Sequence, residues 1–513
     1  MPIHQLVIIL IIQLLILLLP AVGIYKMFEK AGVAGWKALV PFYNTWIMLE
    51  LANRRKYIFF FQFVPVAGWF ISMSIFVDFV KTFGKFKLYE HAMSALLPIV
   101  YFSYLGFNKQ DKFIGAEAIV KHKKSAAREW ADAAVFAVVA ATLIRAFVFE
   151  SYAIPSGSME KTMLVNDYLF ANKLSYGPRI PNTPLALPFV HNKIPFINTK
   201  SYVDWIQLPY TRWFASPVKR NDVVIFNLPI GDTVVDKEEF GTKDPYYDVI
   251  RRAGNGNSDE GRKIILSNPD EYPIIVHTVD KTDNYVKRCV AIAGDNLEIK
   301  KSVVYINGKQ AEFPPKSETY YYVETGGQPL DETAMKEEYD VDMNNSDEFQ
   351  TTDKQNVFRM LLTADAKEKM QKNGLAKNIS LETYTEKAGG LVFPYDNIHK
   401  WTIDDFGPIW VPKKGETLTL TADNYALYER AIRTYEGNKF ESKDGKFYIN
   451  DKQANQYTFK MDYFWMMGDN RHDSQDSRYW GFVPEDRVVG KASLIFMSWD
   501  KGPRWNRILK SIK

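Results

Sequence analysis

At 513 residues, with 64 Lys and Arg against 60 Asp and Glu and a formal net charge of +4, the chain is too long for one ordinary core and too evenly charged to suggest a nucleic-acid partner. A single cysteine, Cys289, excludes an intramolecular disulfide framework and any multi-cysteine metal site, and the seven histidines include no HExxH pair, so a zinc hydrolase lacks its ligands. No metal and no cofactor is expected.

The first predicted element is an apolar segment, Leu6 to Tyr25, interrupted only by Gln13 and long enough to cross the roughly 30 Å hydrocarbon layer. It lacks a basic leader and is followed by further apolar segments, which favours an anchor over a cleavable secretory signal. Tyr57 to Val80 is a second span despite Gln62, Pro65 and Asp78, and Ala92 to Phe107 is a shorter one, tilted or re-entrant. Trp130 to Phe149 is the last, with Asp132 and Arg145 near its ends, where long side chains reach the interface. Residues 1–127 thus read as a multi-span membrane module with basic cytoplasmic loops, and 128–150 as a transmembrane anchor. The basic loops containing Arg54, Arg55 and Lys56, and Lys121, Lys123, Lys124 and Arg128, belong in the cytoplasm, while Lys81, Lys85 and Lys87 run against that rule. With three spans or four, everything after residue 150 lies outside.

Beyond the anchor the pattern changes. Ile154-Pro155-Ser156-Gly157-Ser158-Met159 reads as extended backbone, in which Ser156 and Ser158 share a face and Gly157 leaves room for an approaching chain. From Phe149 the chain can reach at most roughly 30 Å at about 3.3 Å per residue, so Ser158 works close to the bilayer. Residues 176–216, rich in Pro and aromatics without periodicity, form a loop on the membrane interface or an irregular part of the core. Short β-rich runs at Asp222-Val-Val-Ile-Phe-Asn, Tyr285-Val-Lys-Arg-Cys-Val-Ala-Ile, Val303-Val-Tyr-Ile-Asn-Gly and Ala492-Ser-Leu-Ile-Phe-Met-Ser-Trp predict a mainly antiparallel β domain. Residues 328–353, acidic and polar, read as a solvated insertion, and a helical pattern covers Val357 to Lys372.

A serine nucleophile needs a base within hydrogen-bond reach and donors for the developing oxyanion. Two side chains qualify for Ser158. His472 lies in the polar stretch Gly468-Asp469-Asn470-Arg471-His472-Asp473-Ser474-Gln475-Asp476-Ser477-Arg478 and could complete a Ser/His/Asp arrangement. Lys287 lies in an otherwise apolar run, with Tyr285 and Cys289 on its own face and Arg288 on the other; burial there would favour the neutral amine. Each feature also has a structural explanation: a solvated turn for Ser-Gly-Ser, an exposed strand lysine, and a hydrogen-bonded turn bracing a sheet for 468–478.

Taken together, Pro155-Ser-Gly-Ser-Met, Lys287-Arg288 within its strand, and Gly468-Asp-Asn-Arg followed by Ser474 and Asp476-Ser-Arg-Tyr-Trp-Gly closely resemble the three ordered boxes of the bacterial type I signal peptidases. The resemblance implies a signal-peptidase-like β fold of antiparallel sheets. Ser158 would be the nucleophile, Lys287 the general base, Ser156 an oxyanion hydroxyl beside the Ser158 amide, and Ser474 the partner orienting Lys287. Asp476 and Arg478 would form a supporting ion pair, Asp469 would lie near Arg288, and Gly468 would leave space beside the lysine. Ile154, Pro155, Met159, Tyr285 and Val286 would line shallow pockets for the small residues of an Ala-x-Ala site. Residues 151–310 and 455–513 would form the catalytic core, with 311–454 an inserted accessory region.

The implied activity is removal of signal peptides from secreted preproteins by a membrane serine endopeptidase, through an acyl-enzyme, at the bacterial cytoplasmic membrane. Its partners would be preproteins, membrane lipid and the secretion translocon. Two positions depart from the family pattern: Lys161 stands where proline is common, and Arg471-His472-Asp473-Ser474 replaces Arg-Asp-Asn-Ser. Lys161 also creates a Ser-x-x-Lys spacing as in penicillin-binding proteins, but the Lys-Thr-Gly triplet they require is absent. A self-cleaving repressor would need a DNA-binding domain in place of the spans. The remaining alternative is a non-catalytic envelope assembly or binding protein.

Overall fold

A computed structural model describes residues 3–64, 67–123, 125–190, 192, 194–197, 199–237, 239–240, 244–256, 258–384 and 390–513; Pro65 and Lys124 lie outside them. The chain divides into two compact units, Met1–Val138 and Val139–Lys513.

The amino-terminal unit is helical, and its apolar segments are broken where single spans are expected. Leu6 to Tyr25 falls on two helices, Ile3–Leu18 and Ala21–Lys30, bent by 47° at Pro20, whose ring cannot continue the hydrogen-bond ladder. Tyr57 to Val80 divides into a 3₁₀ stretch, Lys56–Phe63, and a 15-residue helix, Ala67–Lys81. The two pack so closely that a Cβ on Gly68 would stand 2.0 Å from the Gln62 carbonyl oxygen. Ala92 to Phe107 breaks at Leu97, which precedes the helix-starting Pro98 and is pushed out of helical geometry. Among the described residues one helix, Ala126–Phe147, is long and apolar enough to cross a membrane, or two if the bent pair counts as one span. Phe149, expected at the end of that helix, starts a strand instead.

The second unit is built on an eight-stranded antiparallel sheet. Its strands are β1 (Phe149–Ala153), β2 (Asp167–Asn172), β3 (Val223–Asn227), β4 (Asn284–Ala291), β5 (Tyr463–Met467), β6 (Val483–Pro484), β7 (Val488–Ser498) and β8 (Lys510–Ser511). They run in the order β1-β2-β7-β3-β4-β5-β6, with β8 on β7, so segments far apart in sequence become neighbours. Alternation along β3 sends Val223 and Ile225 into a cluster with Ile154, Met159 and Leu169, and Val224 and Phe226 into another with Cys289, Met466 and Trp480. Both faces of this sheet are therefore buried, which fixes its register.

A four-stranded sheet joins Phe406–Trp410 to Asn296–Lys300, Val303–Ile306 and Lys309–Gln310. Another, Phe349–Thr351, Val357–Thr363, Glu318–Thr325 and Ala376–Leu381, lies inside the accessory region and has its own core around Val323, Met335, Met360 and Met370. Two expectations are corrected here. Val357 to Lys372 is a strand followed by the helix Ala364–Lys372, and the acidic stretch 328–353 contains the helix Glu332–Tyr339, whose Met335 and Tyr339 are buried. In the segment 176–216, Tyr176, Tyr202 and Trp213 are buried as an irregular part of the core, whereas Phe189, Phe196 and Trp205 are exposed.

Candidate active site

The serine turn is not the continuous extended run expected from its sequence. Ile154 to Ser156 continues from β1, but Gly157–Met159 closes a single 3₁₀ turn, and it is this turn that brings the Ser156 and Ser158 hydroxyls to 3.5 Å. Ser158 is 9% exposed. β4 carries Lys287 beneath it, with Nζ 2.7 Å from Ser158 Oγ. Lys287 is 3% exposed, and burial, opposed by Asp476 and Asp469, lowers its pKa to about 8. Its ammonium end also stands 5.6 Å from the Tyr285 ring, on the face of β4 that alternation predicts.

The segment 468–478 closes the other side. The Asn470 amide donates to the Ser158 carbonyl at 3.2 Å, the Asp469 amide reaches Met159 Sδ, and Thr162 Oγ1 donates to Asp469 Oδ2 at 2.6 Å. Arg288 grips Asp469 through Nε and Nη2 at 2.7 and 2.6 Å, and Arg478 grips Asp476 through Nε and Nη2 at 2.9 and 2.8 Å. Although burial alone would raise them, these guanidinium bonds hold both carboxyls below the usual range.

Gly468 runs against the serine turn: a Cβ there would lie 2.5 Å from the Ser158 carbonyl oxygen and 2.2 Å from Ser474 Oγ. Gly468→Ala must therefore displace the backbone beside Ser158, the expected nucleophile, and a shift of about 1 Å at a reacting centre lowers rates by roughly 100-fold. A peptide-cleavage assay with Gly468→Ala reads this directly.

One implied contact is not made. The Ser474 hydroxyl is buried beside Gly468 but has no hydrogen-bond partner among the described residues, so it does not touch Lys287. The pocket residues also divide. Ile154, Met159 and Val286 meet in one apolar cluster, Tyr285 belongs to the cluster on the opposite face of the sheet, where it packs edge-on against Trp480 at 5.5 Å, and Pro155 is exposed.

His472 lies away from the serine. Thr319 Oγ1 meets its Nδ1 at 2.8 Å and Asp404 meets its Nε2 at 3.1 Å, so both ring nitrogens are occupied. Lys161 is likewise engaged elsewhere, donating to the Asp340 carbonyl at 2.8 Å and to Glu348 at 3.0 Å, so the Ser-x-x-Lys spacing produces no contact between the two.

Sequence inspection misses Thr162, Asn470 and Trp480, which hold the site, and the inserted sheet, which braces it. Glu318 and Thr319 open that sheet: the Glu318 amide donates to the Asp469 carbonyl, and the Arg471 amide to the Glu318 carbonyl. Asn470 and Trp480 carry a signal, through their places in the third box, and Thr162 carries none. No group of three or more acidic, His or Cys side chains among the described residues is arranged to hold a metal ion.

Residues 127–365 and 414–499 match the family described as Signal peptidase, peptidase S26, and residues 36–116 match a family of unknown function, DUF5684. Relatives include a Signal peptidase I of Haemophilus influenzae, 22% identical over 389 residues that cover 72% of each chain. Another, from Buchnera aphidicola, is 24% identical over 71% of this chain and 77% of its own. A third, from Rickettsia massiliae, is 28% identical over 37% of this chain and 46% of its own.

Proposed function

Because this chain belongs to the signal peptidase family, peptidase S26, and is thereby a serine hydrolase that removes signal peptides from preproteins, we propose that it cuts by a Ser158–Lys287 dyad. The observation carrying this is the 2.7 Å approach of a buried lysine nitrogen to the Ser158 oxygen. Neutral Lys287 takes the Ser158 proton as Oγ attacks the scissile carbonyl, giving a tetrahedral oxyanion held by the Ser156 hydroxyl and the Ser158 amide. The protonated amine then gives its proton to the leaving amine. An acyl-serine remains, which water, deprotonated by the same lysine, hydrolyses to release the carboxylate of the signal peptide. No cofactor takes part in this scheme.

The preprotein enters as an added strand beside 154–156, and Ile154, Met159 and Val286, with Pro155 at the exposed edge, admit only small side chains, giving an Ala-x-Ala preference; Tyr285, on the other face of the sheet, is left out of this pocket. Arg288–Asp469 and Arg478–Asp476 hold the lysine strand and the third box in place, with Gly468 and Ser474 filling the space between. Sequencing the mature amino terminus released from one preprotein by the purified enzyme tests reaction and cut site together.

The pH profile is a separate test. Lys287 must be neutral to act, so kcat/KM should rise through a pKa of about 8 and level off above it. Glu160, which burial pushes up to about 6, titrates lower, but Glu318, pushed up to about 8, titrates in the same range. The limb should therefore survive Glu318→Gln; its disappearance in that variant would assign it to the carboxyl.

Membrane attachment is assigned to the Ala126–Phe147 helix, none of which is buried, with the apolar helices of residues 1–127 as further membrane elements in a multi-pass arrangement. Exposed Phe196, Trp205, Trp505 and Leu509 support contact of the catalytic part (151–310 and 455–513, with 311–454 accessory) with the outer lipid surface. The bacterial cytoplasmic membrane, lipid and the secretion translocon complete this proposal.

A further inference from the structure

Three arginines enter the core around the third box, Arg288, Arg471 and Arg478, each no more than 5% exposed. Two have a carboxylate each, Asp469 and Asp476. Arg471 has none. Among the described residues its Nε and Nη1 meet no acceptor, its Nη2 has only the Ser317 hydroxyl at 3.5 Å, and its guanidinium lies 5.4 Å from the Phe313 ring centre. Burial lowers its pKa to about 10. A buried guanidinium lacking acceptors is unfavourable in proportion to the hydrogen bonds it forgoes.

Arg471 lines a cavity of about 800 Å³ between the 303–310 hairpin and the inserted four-stranded subdomain. Volumes of that size hold organic ligands, and an apolar wall with a few convergent polar groups is the usual lining. Val304, Ile306 and Leu381 supply the apolar wall, and Lys309 and Lys367 add positive charge. Glu312 and Glu368, both exposed, belong to the outer rim. Neither Ser158 nor Lys287 lines this space.

We propose that the cavity is a second binding site, for an organic anion whose carboxylate or phosphate pairs with the Arg471 guanidinium and whose apolar remainder lies along Val304, Ile306 and Leu381. A guanidinium suits both head groups because its paired N–H donors match two oxygens at once. Such an anion has two sources at a membrane: the phosphate of a lipid, or the free carboxylate of an apolar peptide.

The test is calorimetric titration of the full chain carrying Ser158→Ala, in detergent micelles. The probes are dihexanoyl phosphatidic acid, an acetylated apolar tetrapeptide with a free carboxylate, the same peptide as its carboxamide, and inorganic phosphate. One of the two organic anions should saturate a single site while the carboxamide does not bind. Its affinity should fall at least about tenfold in Arg471→Gln and again in Ala364→Trp, which fills the cavity from an exposed helix position. Which probe binds identifies the source. Failure of both organic anions, binding unchanged by Ala364→Trp, or inorganic phosphate binding equally to Arg471→Gln would each overturn the proposal. Should Arg471→Gln not fold, as judged by thermal melting, Ala364→Trp and Lys367→Glu decide the question in its place: each should weaken the same anion, and unchanged affinity in both would overturn the site.

Discussion

Replacing Lys287 with alanine should lower kcat/KM for an Ala-x-Ala preprotein by on the order of 10,000-fold or more, to the level of Ser158→Ala, because in the proposed dyad the two side chains act as one unit. The double variant should be no worse than either single one. His472→Ala supplies the contrast. With its nitrogens occupied by Thr319 and Asp404, that change should lower stability by about 1–3 kcal/mol through unpaired buried groups, and leave the chemistry within about tenfold of the parent. Single-turnover assays of the three variants decide the matter: activity that survives Lys287→Ala but not His472→Ala would transfer the base to histidine.

The second large effect concerns Asp476. Its two oxygens accept from the Gly468 amide, the Arg478 amide and the Arg478 guanidinium, at 2.8 to 3.1 Å, and the residue is wholly buried. Asp476→Ala leaves Arg478, 2% exposed, as an uncompensated charge, so the expected loss is about 3–5 kcal/mol of stability. It also frees the Gly468 amide that sits against the serine turn, so activity should vanish with it. A short pair on the surface, Lys439–Asp451, with side chains 54% and 75% exposed, should leave the denaturant midpoint essentially unchanged when broken, because water screens it. Denaturant midpoints of Asp476→Ala and Asp451→Ala measure the difference.

Much of the core is legible in the sequence because its chemistry is concentrated in three short boxes and its strands have strong β patterns. β3 and β4 fall within one residue of the expected runs, since alternating or continuous apolar residues bounded by Asp and Gly leave little choice. What escapes depends on distant segments. The occupation of His472 by Asp404 and of Lys161 by Glu348 arises from the inserted region, whose position no local pattern encodes. Val357–Thr363 reads as part of the helix that follows it because a short apolar run fits either period. The breaks in the amino-terminal helices have visible signals in Pro20 and Pro98, which average hydropathy passes over.

The stitching of Ser158 to the third box also makes the site a late product of folding. The Thr162–Asp469 bond joins residues 307 apart, and β7, which completes the middle of the main sheet between β2 and β3, ends only at Ser498. The surroundings of Ser158 and Lys287 are therefore complete only once β7 and the third box have joined strands that precede them by some 300 residues. Long-range closure of this kind is slow and late.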